Sequence, residues 1–199
     1  MALQLVAPVP QDDAALIAAC IRGEASAQRT LFKREYQRVF KTVARLMGSN
    51  RDVDDLVQET FVSVFRALGS FRGEAKLSTW IDRIAVRAVF HHLRARKRTV
   101  SLDAVGEIED SAAGVEDKAH AREGLRRLYA VLAEMTPDAR AAYALYAIDG
   151  RTIPEVAVLT GTTKIAAKLR IWRARREVYQ RAESDPVLAD LVRAGKVQR

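Results

Sequence analysis

The chain has 199 residues, a net charge of +8 and one cysteine, Cys20. A single cysteine excludes an internal disulfide and any metal site built from several cysteines, while a positive excess favours polyanionic partners. No apolar run approaches the ~18–20 residues of a membrane span. The N-terminal segment contains Asp12 and Asp13 and has no basic region before a hydrophobic core, so it does not read as a signal peptide. The sequence therefore predicts a cytoplasmic protein without membrane insertion.

The first part of the chain has helical spacing of apolar residues and no alternating strand pattern. Ser26, Asp52 and Ser78 are suited to N-cap positions, and Gly48 is suited to end a helix. The predicted helices cover 12–22, 26–48, 52–68 and 78–98, and together they form a first domain over residues 1–98.

The sequence changes character at residues 99–117, which are acidic, contain two glycines and lack apolar periodicity. This composition predicts a flexible acidic linker. Helical spacing resumes in a second domain over 118–183, and the tail 184–199 contains a helical pattern too short to be stable alone. The predicted fold class is all-α: two small helical domains joined by the linker, the second a helix-turn-helix.

The fourth predicted helix separates two faces on a helical wheel. Arg83, Arg87 and Arg94 lie around Phe90 on one face. Guanidinium groups beside an aromatic ring suit phosphate contact and base stacking, although a solvated face with one stray aromatic is the alternative. The basic residues at 96–98 favour nucleic-acid binding. The opposite face is predicted to be core: Trp80, Ile81, Ile84, Ala85, Ala88 and Val89.

Residues 152–163 followed by a basic helix are typical of a helix-turn-helix. Pro154 suits a first helical turn, Gly161 a tight turn, and Thr163 the N-cap of the second helix. A purely structural three-helix core is the alternative. The second helix is predicted to bury Ala167, Ile171, Ala174 and Val178 and to direct Lys168, Arg170, Arg173 and Arg176 toward phosphates or base edges.

Two further segments complete a recognisable order of motifs. Residues 54–61 read Asp-Asp-Leu-Val-Gln-Glu-Thr-Phe, and residues 71–80 read Phe-Arg-Gly-Glu-Ala-Lys-Leu-Ser-Thr-Trp. With the basic helix and the helix-turn-helix, the chain resembles the extracytoplasmic-function (ECF) sigma factors of bacteria over about residues 12–182. The resemblance implies a factor that binds core RNA polymerase, recognises promoter −10 and −35 elements and helps to melt the promoter DNA.

The resemblance also implies roles for individual residues. Asp55, Gln58 and Glu59 would contact core RNA polymerase. The −10 element would be bound by Phe71, Arg72, Lys76, Arg83, Arg87, Phe90 and Arg94. The −35 element would be bound by Thr163, Lys168, Arg170, Trp172 and Arg173.

The chain departs from the family pattern at two places. Val86-Arg87 and His91 replace the usual residues on the −10 helix, so the promoter preference of the family is not carried over. In the recognition helix, Ile165, Leu169 and Trp172 form a second apolar face, and exposed apolar patches rimmed by charge usually mark partner surfaces. This face could contact thymine methyl groups, a neighbouring segment or a protein, and we expect an anti-sigma factor there.

The sequence does not predict an enzyme, a cofactor, a metal site or a small-molecule substrate. His91, His92 and His120 are scattered, and no nucleophile–base pair or phosphate-binding glycine loop is present. The carboxylates of 54–59 could form a metal or acid–base site, but a docking surface fits one solvent-facing helix better. The competing functions are a helix-turn-helix regulator that acts without polymerase and a sigma mimic that sequesters another regulator.

Overall fold

The computed structural model describes residues 11–48, 52–96 and 115–194, with side chains for 13–48, 52–95 and 119–194. Within these ranges the fold is all-α, as predicted, and no described helix could span a membrane. The helices are α1 (Gln11–Ile21), α2 (Ala25–Met47), α3 (Val53–Ala67), α4 (Leu77–Arg96), α5 (Val115–Glu134), α6 (Pro137–Tyr143), α7 (Ile153–Thr160), α8 (Lys164–Ala182) and α9 (Pro186–Arg193).

Three of the predicted boundaries change. The expected linker lies outside the described residues up to position 114, and its last three positions belong to the first turn of α5. Ser26 and Ser78 lie inside α2 and α4, so the N-caps predicted there are wrong. Gly23 has a φ of 82° and lies in the short turn after α1. The second helix begins only two residues later, at Ala25.

The first unit packs α2, α3 and α4 against one another, with α1 across α2. Its fully buried side chains include Leu31, Val43, Val64, Ile81 and Val89. The buried positions recur every three or four residues along each helix, so each helix turns one apolar stripe inward. Burial of these stripes supplies the main stabilising free energy of the unit.

The second unit contains α5 to α9, with a π-helical turn at Ala144–Ile148 after α6. Ala167, Ile171, Ala174 and Val178 are all buried in α8, which confirms the predicted stripe. The tail forms α9, whose N-cap carboxylate, Asp185, accepts bonds from the N–H groups of Val187 and Leu188, each at 3.1 Å. Leu188, Leu191 and Val192 of α9 are buried with α5 and α8, which explains how so short a helix is stable.

The two units also pack on each other. The apolar core of the first continues into Ala141, Leu145 and Leu159 of the second, with α4 against α6 and α7. At the end of α2, the Tyr129 hydroxyl donates to the carbonyl oxygen of Arg45 at 2.6 Å. The Arg140 guanidinium donates to the carbonyl oxygen of Met47, also at 2.6 Å. Side chains of the second unit thus satisfy carbonyls that a helix end leaves unpaired.

We expect Gly48→Ala to destabilise the protein more than Gly23→Ala. Both glycines have positive φ, which costs an alanine about 1 kcal/mol. A Cβ at Gly48 would lie 2.1 Å from Cδ1 of Tyr129, whereas one at Gly23 meets nothing within 4 Å. Gly48→Ala should therefore lose roughly 2 kcal/mol more free energy of unfolding. Urea denaturation measures both losses, and equal losses would show that the Tyr129 ring is not seated on Gly48.

Candidate nucleic-acid and protein interfaces

The outer face of α3 carries the residues predicted to contact polymerase. Asp55, Gln58 and Glu59 are exposed, because Leu56 and Phe61 turn the opposite side of the helix into the core. Val62, also exposed, extends this face by one turn. The partly exposed Phe32 ring of α2 packs on the buried Phe61, with the ring centroids 4.6 Å apart. The result is an acidic surface with an apolar margin.

The loop between α3 and α4 presents cations beside an anchored ring. Phe71 is half-buried and meets Trp80 edge-on, with their ring centroids 5.4 Å apart. Arg72 and Lys76 are exposed, and Gly73 takes a φ of 72° where the loop turns. Phe71 is therefore a wall of the loop. Lys76 and Arg72 are both exposed to solvent, although the Arg72 guanidinium lies 3.9 Å from the Glu74 carboxylate.

The predicted −10 residues of α4 do share one face. Arg83, Arg87, Phe90 and Arg94 line a single cleft of about 200 Å³. Phe90 is half-buried and not fully exposed, and the Arg94 guanidinium lies 5.8 Å from its ring centroid. The opposite wall of this cleft comes from the second unit: Asp138, Leu159, Thr160 and Gly161.

The departure of the −10 helix from the family pattern has a structural consequence. Val86 is fully buried in the core of the first unit, while its neighbour Arg87 is exposed in the cleft. Position 86 therefore offers no side chain to DNA in this arrangement. Arg87 is the residue of the pair that a phosphate could reach.

The helix-turn-helix is confirmed, with the predicted turn chemistry. Thr152 and Glu155 form a reciprocal capping box at the start of α7, and hydrogen bonds from Thr152 lower the pKa of Glu155. Gly161 takes the left-handed conformation, with a φ of 64°, and Thr163 accepts a 3.1 Å hydrogen bond from the N–H of Ala166. The N-terminus of α8 is therefore well fixed relative to α7.

The predicted −35 residues occupy the outer side of α8. Lys168 and Arg173 are exposed, and Trp172 is 55% exposed with the Arg176 guanidinium 5.9 Å from its ring centroid. Arg170 is half-buried, with its guanidinium 3.5 Å from the Asp138 carboxylate. The apolar stripe predicted on this helix is also exposed, and comprises Ile165, Leu169 and Trp172.

Sequence reasoning missed a buried charge network where the two units meet. Asp82 of α4 pairs with Arg38 within the first unit and with Arg151 of the second at 3.3 Å. Asp149 pairs with Arg45 of the first unit and with Arg151, both at 2.7 Å. Burial raises the pKa of Asp82, and the two guanidinium groups oppose that rise.

The sequence pattern does indicate that Asp82 is buried. Asp82 falls on the inward arc of the α4 wheel, where a carboxylate needs a partner. Its partners Arg38 and Arg151 are 44 and 69 residues away, so the pattern alone does not identify them. The described side chains contain no group of three or more His, Cys, Asp or Glu that could hold a metal ion.

Two protein-family models match the chain. Sigma-70 region 2 matches residues 31–99, and Sigma-70 region 4 matches residues 125–178. The ECF RNA polymerase sigma factor SigM of Mycobacterium tuberculosis is 31% identical over 167 residues, which cover 83% of this chain and 82% of that protein. The ECF RNA polymerase sigma-E factor of Escherichia coli is 29% identical over 181 residues, which cover 86% and 94%.

This chain belongs to the ECF sigma factors. Its function is promoter-specific transcription initiation with RNA polymerase, so core polymerase and promoter DNA are its partners. A solved structure titled "Structure of CnrH in complex with the cytosolic domain of CnrY" is similar to this sigma factor, with a TM-score of 0.60 and 26% identity. The match covers 86% of this chain and 97% of that one.

The matched regions correspond to the two packed units of this sigma factor. Region 2 extends from within α2 through α4, and region 4 extends from within α5 into α8. Helices α1 and α9 lie outside both matches. The family expectation of the sequence analysis is therefore confirmed.

Proposed function

We propose that three surfaces divide the work of this sigma factor. The outer face of α3 docks on core polymerase, α4 with the preceding loop binds and helps to melt the −10 element, and α8 reads the −35 element. The proposed domain bounds are those of the sequence analysis, 1–98, 99–117, 118–183 and 184–199, except that α5 already begins at Val115 and that α9 of the tail packs with the second unit. The observation that supports it most is the sharing of one face by Arg83, Arg87, Phe90 and Arg94.

The α3 face suits a protein partner better than DNA. Asp55 and Glu59 would repel phosphate, and no basic residue is paired with them in the described structure. Exposed carboxylates beside an apolar margin at Val62 match a partner surface with basic and apolar side chains. Docking would place the adjoining α4 against the DNA that polymerase holds.

The α4 face suits a melting element. Three guanidinium groups can each neutralise a phosphate and release its counterion, which makes binding salt-dependent. Phe90, already close to Arg94, offers a flat ring on which an unpaired base can stack. The loop adds Arg72 and Lys76 beside the anchored ring of Phe71, which can form a wall for an extruded base.

The α8 face suits duplex DNA. Thr163 fixes the N-terminus of the helix, the end that enters the major groove in helix-turn-helix proteins. Lys168 and Arg173 lie on the exposed side, where they can reach phosphates or guanine edges, and Arg170 lies beside them. Contacts with phosphates would position α8 on the duplex, and contacts with guanine edges would read the base sequence.

The apolar stripe of α8 suits an anti-sigma factor. Ile165 is 83% exposed, and Leu169 and Trp172 follow at one-turn spacings. A partner helix or groove that covers this stripe would also cover the DNA-reading side of α8. The similarity to CnrH, whose structure was solved in complex with the cytosolic domain of CnrY, supports a protein partner for this sigma factor.

The remaining aspects of the proposal follow from these partners. The chain acts in the cytoplasm, where polymerase and chromosomal DNA are found. Polymerase carries out the chemistry of RNA synthesis, so the sigma factor needs no catalytic group, cofactor or small-molecule substrate of its own.

Charge reversal on α3 should prevent polymerase binding. We expect Asp55→Lys or Glu59→Lys to weaken co-purification with core polymerase by roughly tenfold or more, since a lysine would face the partner's basic side chains. Glu183→Lys at the exposed end of α8 is the matched control. Circular dichroism should show an intact fold in all three variants. Normal polymerase binding by both α3 variants would contradict docking through this face.

Removal of one α4 guanidinium should change the salt dependence of promoter binding. For the complex with polymerase, we expect Arg87→Ala to flatten the slope of log affinity against log salt by about one phosphate contact. Arg193→Ala on α9 removes the same charge from a different surface and should leave the slope unchanged. If both variants behave alike, Arg87 does not contact DNA.

Truncation of the exposed tryptophan should relieve inhibition in the cell. We expect Trp172→Ala to raise RNA levels of the factor's target genes in resting cells, because an aromatic anchor in a dry groove carries much of the binding free energy. In purified transcription the variant should not exceed the wild type. Ile21→Ala on α1 is an equally exposed apolar control. If the variant matches the wild type in purified transcription, unchanged resting RNA levels would contradict an inhibitor on this stripe.

A further inference from the structure

His91 of α4 faces the same cleft as the residues proposed to bind the −10 element. Its side chain is exposed and lines the cleft together with Arg83, Arg87, Phe90 and Arg94. Arg87 lies four residues before it and Arg94 three residues after it, so both are its neighbours along one side of the helix. His91 therefore lies within the group of guanidinium side chains that the proposed function assigns to DNA.

The two other histidines lie beside carboxylates, but His91 has no such partner among the described residues. His92 is half-buried, with its Nε2 atom 3.3 Å from the Asp52 carboxylate that precedes α3. The Nε2 atom of His120 in α5 lies 3.4 Å from the Asp190 carboxylate of α9. The imidazole of His91 is therefore available to a ligand in a way that the other two are not.

The cleft around His91 carries more positive than negative charge. Three guanidinium groups line it, and the facing wall from the second unit supplies one carboxylate, Asp138, beside uncharged groups. Asp138 lies 3.3 Å from the Arg94 guanidinium and 3.5 Å from that of Arg170. Within the part of the chain that the structure describes, neither Arg87 nor His91 is paired with a carboxylate. An anion that enters between these two side chains would therefore meet unpaired donors.

A phosphate suits the space between Arg87 and His91. Side chains four residues apart on a helix have Cβ atoms about 5–6 Å apart, so both can donate to different oxygens of one phosphate. A protonated imidazole carries a charge and donates through both ring nitrogens, whereas a neutral one has a single N–H. A phosphate therefore binds the protonated ring more strongly, and its binding favours uptake of a proton.

We propose that His91 is a proton-linked DNA contact. Protonated His91 and Arg87 together hold one phosphate of the −10 element, so promoter affinity falls as the pH rises through the range of about pH 5–8 in which histidines lose their charge. Arginines and lysines keep their charge over this range, so their contacts do not produce the effect. This inference rests on the proposed −10 role of α4, and it adds the proton as a regulator of that site.

The test is the affinity of the holoenzyme for a labelled promoter fragment, measured at constant salt from about pH 6 to about pH 8. The fragment is one that the wild-type holoenzyme enriches from genomic DNA. His91→Asn cannot take up a proton at this position. We expect the wild type to lose roughly fivefold more affinity over this range than His91→Asn, within the limit of about tenfold per pH unit that one proton sets.

Two further substitutions are the matched controls. His91→Lys carries a positive charge at the same position throughout this range, so it should lose clearly less affinity with rising pH than the wild type. His120→Asn removes an exposed histidine of α5 away from the cleft and should keep the wild-type pH dependence. Circular dichroism should show an intact fold in all three variants, because both positions are exposed.

The outcomes separate this inference from the proposed function. A wild-type pH dependence that His91→Asn or His91→Lys retains in full would overturn the proton-linked contact, as would an equal loss of this dependence in His120→Asn. Arg87→Ala tests the DNA-binding role of α4 independently, through the salt dependence of the same complex. A flattened salt dependence in Arg87→Ala beside an unaltered pH dependence in His91→Asn would remove His91 alone and leave the proposed function in place.

Discussion

The arrangement of the two sigma units depends on how the C-terminal end of α2 is satisfied. A helix end leaves backbone carbonyls without partners, and a buried carbonyl without a hydrogen bond is costly. Here Gly48 turns the chain away, and Tyr129 and Arg140 reach from the second unit to the last turn of α2. The end of one domain is therefore completed by side chains of the other, and the interface has a defined register.

The charges at the joint between the two units add specificity. A buried ion pair gains little net free energy over well-packed apolar groups, but loss of one partner is severely destabilising. Asp82 and Asp149 therefore accept only an approach that brings Arg151 and Arg45 to them. The π-helical turn at Ala144–Ile148 sets the direction of the chain immediately before Asp149. The joint is therefore specific in its geometry, because these two carboxylates are buried and need guanidinium partners.

These features give the same side chains two sets of partners. Arg94 and Arg170 belong to the helices that our proposal assigns to the two promoter elements, and both contact Asp138 in the free chain. An intramolecular carboxylate has a high effective concentration but only one negative charge, whereas DNA offers a row of phosphates.

The sequence by itself determined the helices, the buried stripe of α8, the turn at Gly161 and the cap at Thr163, because periodicity and turn chemistry are local. Its ordered motifs also identified the sigma family. Only the tertiary structure decided the docking of the units, the half-burial of Phe90, and the pairing of Arg94 with Asp138 and of Arg151 with Asp82. Those pairs join residues 44 and 69 positions apart, so they depend on the path of the chain and not on any local pattern.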